Sequence, residues 1–224
     1  MDPFAAESFS RELGIAVEQI AREEFELAIL KPLFESRIGD SLVFKGGTAL
    51  RLAYGSPRFS DDLDFSALRS IREEDFKRAC LAAVRNVPEA VLVEALAKRY
   101  TLFALLRFRV PYVSRPFSMK IEVSVRKEPW VKDRDLELKL LSSEVTNVTV
   151  LARVATIERM EKDKRKALES RRQPRDLYDL WFISQKLGRE FEPDLKGLPP
   201  AVLRRELRKY LPRAHWRIVD EWTA

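Results

Sequence analysis

Phe44-Lys45-Gly46-Gly47-Thr48-Ala49-Leu50, followed closely by Arg58-Phe59-Ser60-Asp61-Asp62-Leu63-Asp64-Phe65, is the stretch whose reading decides the fold. Leu42-Val43-Phe44 reads as a short buried strand ending at Lys45-Gly46-Gly47. Thr48 is placed to cap or to bind a phosphate, and a helix with Ala49, Leu50, Leu52 and Ala53 follows. Gly55-Ser56-Pro57 breaks that helix, and a second strand is expected over Asp62 to Phe65. In a strand, residues two apart face one way, so Asp62 and Asp64 share a face while Leu63 and Phe65 point into the core. Adjacent carboxylates repel unless a cation lies between them, and Mg²⁺ prefers oxygen ligands while leaving places for water and phosphate. Alone, Asp-x-Asp is more often a solvated acidic turn. Gly46 and Gly47 open a helix whose free amides and positive dipole end suit a phosphate; alone, they are more often an ordinary strand-to-helix turn. The combination is far more specific. A cradle lies fifteen residues ahead of a metal clamp, which is what attack on the α-phosphorus of a nucleoside triphosphate (NTP) requires.

Outward from this stretch, the pattern predicts strands and helices first and helices alone afterwards, an α+β chain. A helix is expected over residues 15–37, with Val17, Ile20, Leu27, Leu30, Leu33 and Phe34 apolar, and another over 72–86, closed by Pro88. Residues 91–94 and 101–110 are strand-like. Residues 117–125 alternate strictly: Phe117, Met119, Ile121, Val123 and Val125 on one face, Ser118, Lys120, Glu122 and Ser124 on the other. Beyond Thr156 four helical pieces are expected, broken near Gln173-Pro174, between Gly188 and Pro200, and at Pro212. The expected division is a core over residues 1–150 and a helical part over 151–224.

Composition narrows the chemistry. The 224 residues contain one cysteine, Cys80, and one histidine, His215. An internal disulfide is impossible, which fits a reducing cytoplasm. Cys80 falls on a helical pattern and is expected in the core. Multi-histidine metal sites are excluded, so a catalytic metal must rest on carboxylates. No apolar run approaches the ~18 residues of a membrane span, and no signal peptide is visible. The net charge of +6 is uneven: residues 162–175 carry seven Lys or Arg against Asp163 and Glu169, which suits a phosphate backbone or a solvated helix.

Gly-Gly, a short helix and Asp-x-Asp resemble the signature of the DNA polymerase β-like nucleotidyltransferase superfamily. The fuller string from Phe44 to Phe65 is similar to the AbiEii-type toxins of toxin–antitoxin systems. Lys164-Arg165-Lys166-Ala167 and Arg175-Asp176-Leu177-Tyr178-Asp179-Leu180 resemble that family's later elements. The resemblance implies a mixed β-sheet core flanked by helices, with the helical C-terminal part completing the site. It implies Asp62 and Asp64 as metal ligands, with Glu122, on the polar face of its strand, as third ligand or general base for the acceptor hydroxyl. Lys164 interrupts an apolar stripe formed by Ile157, Met160 and Ala167. It must snorkel, pair or reach an anion, and the functional reading is the β/γ oxygens of the triphosphate. Asp176 belongs to the site by resemblance, and equally reads as a helix-start charge or a partner of Arg175 or Lys164. Arg58 is placed to pair with Asp61 or meet phosphate, and Ser60 to shape the turn or touch phosphate. The activity implied is metal-dependent transfer from an NTP, with Mg²⁺ or Mn²⁺, onto RNA at the 3′ end of tRNA. An antitoxin of winged-helix type would oppose it. A protein or small-molecule acceptor, or a non-catalytic NTP-binding module, are the competing readings.

Overall fold

The computed structural model describes residues 1–224. In chain order the elements are α1 (Pro3–Leu13), α2 (Val17–Glu35), β1 (Leu42–Lys45), α3 (Gly46–Tyr54), β2 (Leu63–Ala67) and α4 (Glu73–Arg85). Five strands follow: β3 (Ala90–Lys98), β4 (Thr101–Phe108), β5 (Phe117–Ser124), β6 (Leu136–Ser143) and β7 (Thr146–Ala155). Four helices close the chain: α5 (Ile157–Arg171), α6 (Pro174–Lys186), α7 (Pro200–Tyr210) and α8 (Trp216–Thr223). The strands form one mixed sheet in the order β3-β4-β5-β2-β1-β7-β6. The pairs β2–β5 and β1–β7 are parallel, and the rest are antiparallel.

The core follows from the apolar periodicities. On α4, Phe76, Ala79, Cys80 and Ala83 are buried at helical spacing, and burial raises the Cys80 thiol to about 12. On β5, Phe117, Met119, Ile121 and Val123 are buried and alternate with less buried polar residues. Aromatic rings bind α2 to the sheet: Phe25 lies 5.0 Å from Phe108, which stacks on Phe117 at 5.2 Å. The C-terminal helices pack successively, α5 on α6, α6 on α7 and α7 on α8, and α5 touches α3.

The expected α+β architecture is found, with several boundaries moved. β2 begins at Leu63, so Asp62 is the residue before the strand. α3 begins at Gly46, so Thr48 is its third residue and not its cap. α1 was not foreseen; Asp2 caps it and Pro3 opens it. The β6–β7 hairpin was also unread. A bulge between Leu141 and Ser143 interrupts its pairing, and the alternation of Leu136 to Leu140 leaves Leu138 and Leu140 exposed, the reverse of an apolar buried face. Consequently the expected division after residue 150 falls inside β7, and the strand-bearing part runs to Ala155.

Candidate active site

The sheet register assembles the site from separate segments. Antiparallel pairing of β1 and β2 sets Lys45 opposite Asp64, and parallel pairing of β2 and β5 sets Asp64 beside Glu122. The chain turns sharply after Lys45, with Gly46 at φ +84°. A Cβ on Gly46 would stand 2.5 Å from Asp64 Oδ2, and one on Gly47 would stand 2.3 Å from Arg58 Nη2 and 2.8 Å from Ser60 Oγ. The two glycines therefore let the backbone lie directly between the Asp64 carboxylate and the Arg58–Ser60 segment. The buried Thr48 hydroxyl donates to the Asp62 carbonyl at 2.6 Å, tying the start of α3 to the Asp-bearing segment. The Asp62 carboxylate accepts from the Lys120 amide at 3.1 Å and lies 3.3 Å from Lys120 Nζ.

Opposite this segment, α5 and α6 contribute a buried charge network. Lys164 Nζ lies 2.6 Å from Asp179 Oδ2 and 3.1 Å from Asp176 Oδ1. Arg171 donates to both oxygens of Asp176, at 2.7 and 2.8 Å, and Arg58 to both oxygens of Asp179, at 2.7 and 2.9 Å. Neither aspartate has any solvent exposure. Burial alone would raise both carboxyls. In Asp179 the charges and hydrogen bonds of Arg58 and Lys164 outweigh it, in Asp176 those of Arg171 and Lys164, so both are held below the ordinary value. Three cations thus meet two carboxylates. Two of them, Lys164 and Arg171, line a pocket of about 170 Å³ together with Lys45, Gly46, Asp64 and Asp163, while Arg58 stays buried behind it. Asp64 sits within it, its carboxyl raised by desolvation and by Asp62 against the pull of Lys45 and Lys164.

Of the sequence-predicted residues, Gly46, Asp64 and Lys164 line the pocket and Gly47, Thr48, Arg58, Ser60 and Asp176 brace the segments around it, whereas Asp62, bonded to Lys120, and Glu122, beside Asp64 on β5, lie outside its lining. One pairing is corrected, and for Asp176 the structure takes Lys164 of the two partners offered. Arg58 binds Asp179, while Asp61 accepts from the Tyr210 hydroxyl and lies 3.5 Å from Arg22 and 3.9 Å from Lys209. Asp176 holds Lys164 and Arg171 and makes no bond to Arg175. Lys45, Arg171 and Asp179 were not singled out for a role. Lys45 and Asp179 stand inside the quoted motifs; Arg171 carried no distinguishing signal among seven clustered cations.

No three His, Cys, Asp or Glu side chains converge closely enough to hold a metal by themselves. Asp64 nevertheless offers carboxylate oxygens to the pocket, and Asp62, two residues before it, carries a partly exposed carboxylate held by Lys120. That fits an oxygen-seeking dication which takes its other ligands from water and phosphate. Glu122 is half-buried, its carboxyl raised by burial and then by Asp64.

A cationic pocket beside a carboxylate pair, on a mixed sheet, is the arrangement suited to stabilising charge on a transferring phosphoryl group. The chain belongs to the AbiEii family, the nucleotidyl transferase toxins of type IV toxin–antitoxin systems; the family model matches residues 28–220 and so spans every residue of the site. It is accordingly an enzyme, a nucleotidyltransferase, and the toxin member of a pair that includes an antitoxin. Among solved structures it is similar to JHP933 from Helicobacter pylori, at 26% identity over 86% of this chain and 75% of that one, with a TM-score of 0.58. The nucleotidyltransferase toxin MenT4 from Mycobacterium tuberculosis shares the fold, at 23% identity over 89% and 68% of the two chains, with a TM-score of 0.59. No curated protein gives a significant match. No helix is long and apolar enough to cross a membrane.

Proposed function

We propose that the enzyme moves a nucleotidyl group from an NTP onto RNA, at the 3′ end of tRNA, in a Mg²⁺-dependent reaction (Mn²⁺ serving in its place) in the cytoplasm. The observation that carries the reading is the glycine turn lying against Asp64 with Lys45, Lys164 and Arg171 around the same pocket. The β- and γ-phosphates rest against these cations and the first amides of α3, while Asp62 and Asp64 hold the metal, with Glu122 as third ligand or base. When bound, Mg²⁺ supplies charge neutralisation at the phosphate oxygens. The acceptor 3′ hydroxyl oxygen bonds to the α-phosphorus as the bond to the β-phosphate bridging oxygen breaks. Pyrophosphate leaves, and the hydroxyl proton passes to Glu122 as general base. Arg58 and Ser60 act behind Gly47, bracing the turn, and Asp176 holds Lys164 and Arg171 toward the triphosphate. The basic segment 162–175 supports an RNA acceptor. The family's antitoxin is expected to be of winged-helix type.

Incubation with each α-³²P NTP, Mg²⁺ and total tRNA tests this, beside an Asp62→Ala/Asp64→Ala double variant. Label on tRNA from the wild type alone is expected. Label on protein would change the acceptor class, and no label with no Mg²⁺-NTP binding would favour a binding module.

A further inference from the structure

A second and larger pocket, of about 410 Å³, is lined by the α5–α6 turn and by α7. Where Arg171 lines the first pocket, the next residue, Arg172, lines the second. Arg175, Leu198, Val202, Glu206 and Tyr210 complete its chemically distinctive wall. Two links place it beside the reaction centre. Arg175 directly precedes Asp176. Tyr210, through its hydroxyl and its carbonyl, binds Asp61 and the Phe59 amide, just ahead of Asp62.

Its charge is arranged differently from the first site. The guanidinium of Arg172 is held by Asp194 Oδ2 at 2.9 Å and the Lys196 carbonyl at 2.9 Å. Glu206 is bonded to Arg205. Arg175 is half-buried and makes no hydrogen bond or ion pair with any protein group, although its neighbours in the first site are all paired. A half-buried guanidinium with five free donors and no partner is poised for an anion. The apolar wall from Leu198 and Val202 faces the same space, so the ligand has a flat or apolar part beside a charged one. Glu206 adds an acceptor for N–H groups. Anion, apolar surface and N–H donors together describe a nucleotide, and the volume admits one. The first pocket is left to the donor's phosphates.

We propose that this second pocket seats the terminal nucleotide of the acceptor strand, its phosphodiester against Arg175 and its base along Leu198 and Val202, so that the 3′ hydroxyl is presented toward Asp62. The proposal rests on the RNA-acceptor reading. It is tested on the full-length enzyme with a short fluorescent single-stranded RNA ending in a 3′ hydroxyl, by anisotropy across salt concentrations, and with Mg²⁺-ATP, -GTP, -CTP and -UTP by thermal shift. Arg175→Gln and, independently, Val202→Glu are expected to weaken RNA binding about tenfold. In Arg175→Gln the salt slope should fall by roughly 0.7, one single-strand phosphate contact. NTP binding should stay within twofold of wild type for both variants. Equal loss of NTP affinity would assign the pocket to the donor and overturn the proposal. Wild-type RNA affinity in both folded variants would also overturn it, leaving the RNA reading intact. A wild type that binds NTP but neither binds nor labels RNA would bring down the RNA reading and this pocket with it.

Discussion

Gly46 is the residue on which the site turns. Its positive φ and the 2.5 Å approach of a virtual Cβ to Asp64 leave no room for a side chain. Gly46→Ala is expected to lower kcat/KM at least about 100-fold by displacing Asp64 or the turn, with far-UV circular dichroism unchanged. The buried cations separate structural from chemical roles. Arg58→Met leaves Asp179 with Lys164 alone and should destabilise the fold by roughly 3–5 kcal/mol, read by urea unfolding. Lys164→Met leaves each aspartate one arginine and should destabilise distinctly less. Its activity should nevertheless be lost, because Lys164 alone of the pair faces the pocket.

At the scale of elements, α2 is unusual. Gln19, Arg22, Glu23 and Glu26 are all buried on a helix that also supplies core leucines. Arg22 reaches Ser118 of β5, and Glu23 takes Arg51 and Ser143, so these polar residues stitch α2 to three other segments. Gln19 and Glu26 are the exceptions, the Oε1 of each lacking a partner, and of the two only Glu26 can ionise. Burial, then Glu23, raise its carboxyl well above the ordinary range. A carboxyl with a raised folded-state pKa weakens the fold in full above that value; the penalty shrinks as pH falls below it and vanishes at the unfolded-state value of about 4.3. Glu26→Gln is therefore expected to stabilise the protein at pH 8 by about 1–2 kcal/mol, with the gain fading on acidification. A thermal melt series from pH 8 to 5 checks this.

Across the whole molecule, the C-terminal helices lock the site shut on the sheet. Asp176 and Asp179 on α6 are held below the ordinary carboxyl value. Their contribution to stability is full above about pH 4, the unfolded-state value, and is lost as pH falls through the lower folded-state values. Acid unfolding should therefore lie below pH 4 in the wild type. Arg171→Gln, which leaves Asp176 with Lys164 alone, should unfold at higher pH, as followed by tryptophan fluorescence. Since α5 and α6 carry Lys164, Arg171, Asp176 and Asp179, loss of that packing removes the pocket together with its charge.

By itself the sequence determined the chemistry-bearing motifs and the elements that hold them. The strand–glycine–helix turn, the Asp-x-Asp, the alternating strand with Glu122 and the four C-terminal helical pieces are local patterns, and local periodicity and turn chemistry suffice to read them. Only the tertiary structure decided the pairings. Nothing in sequence spacing says that Arg58 crosses 121 residues to Asp179 rather than to its neighbour Asp61. That choice is made by burial, which leaves each charge only the partner enclosed with it. The β6–β7 hairpin, likewise, rests on β7 finding β1 beside it; Leu136 to Leu140 alternate with charges, but Leu138 and Leu140 face solvent while Glu137 turns inward to the Tyr54 hydroxyl, so the pattern alone gives the wrong face.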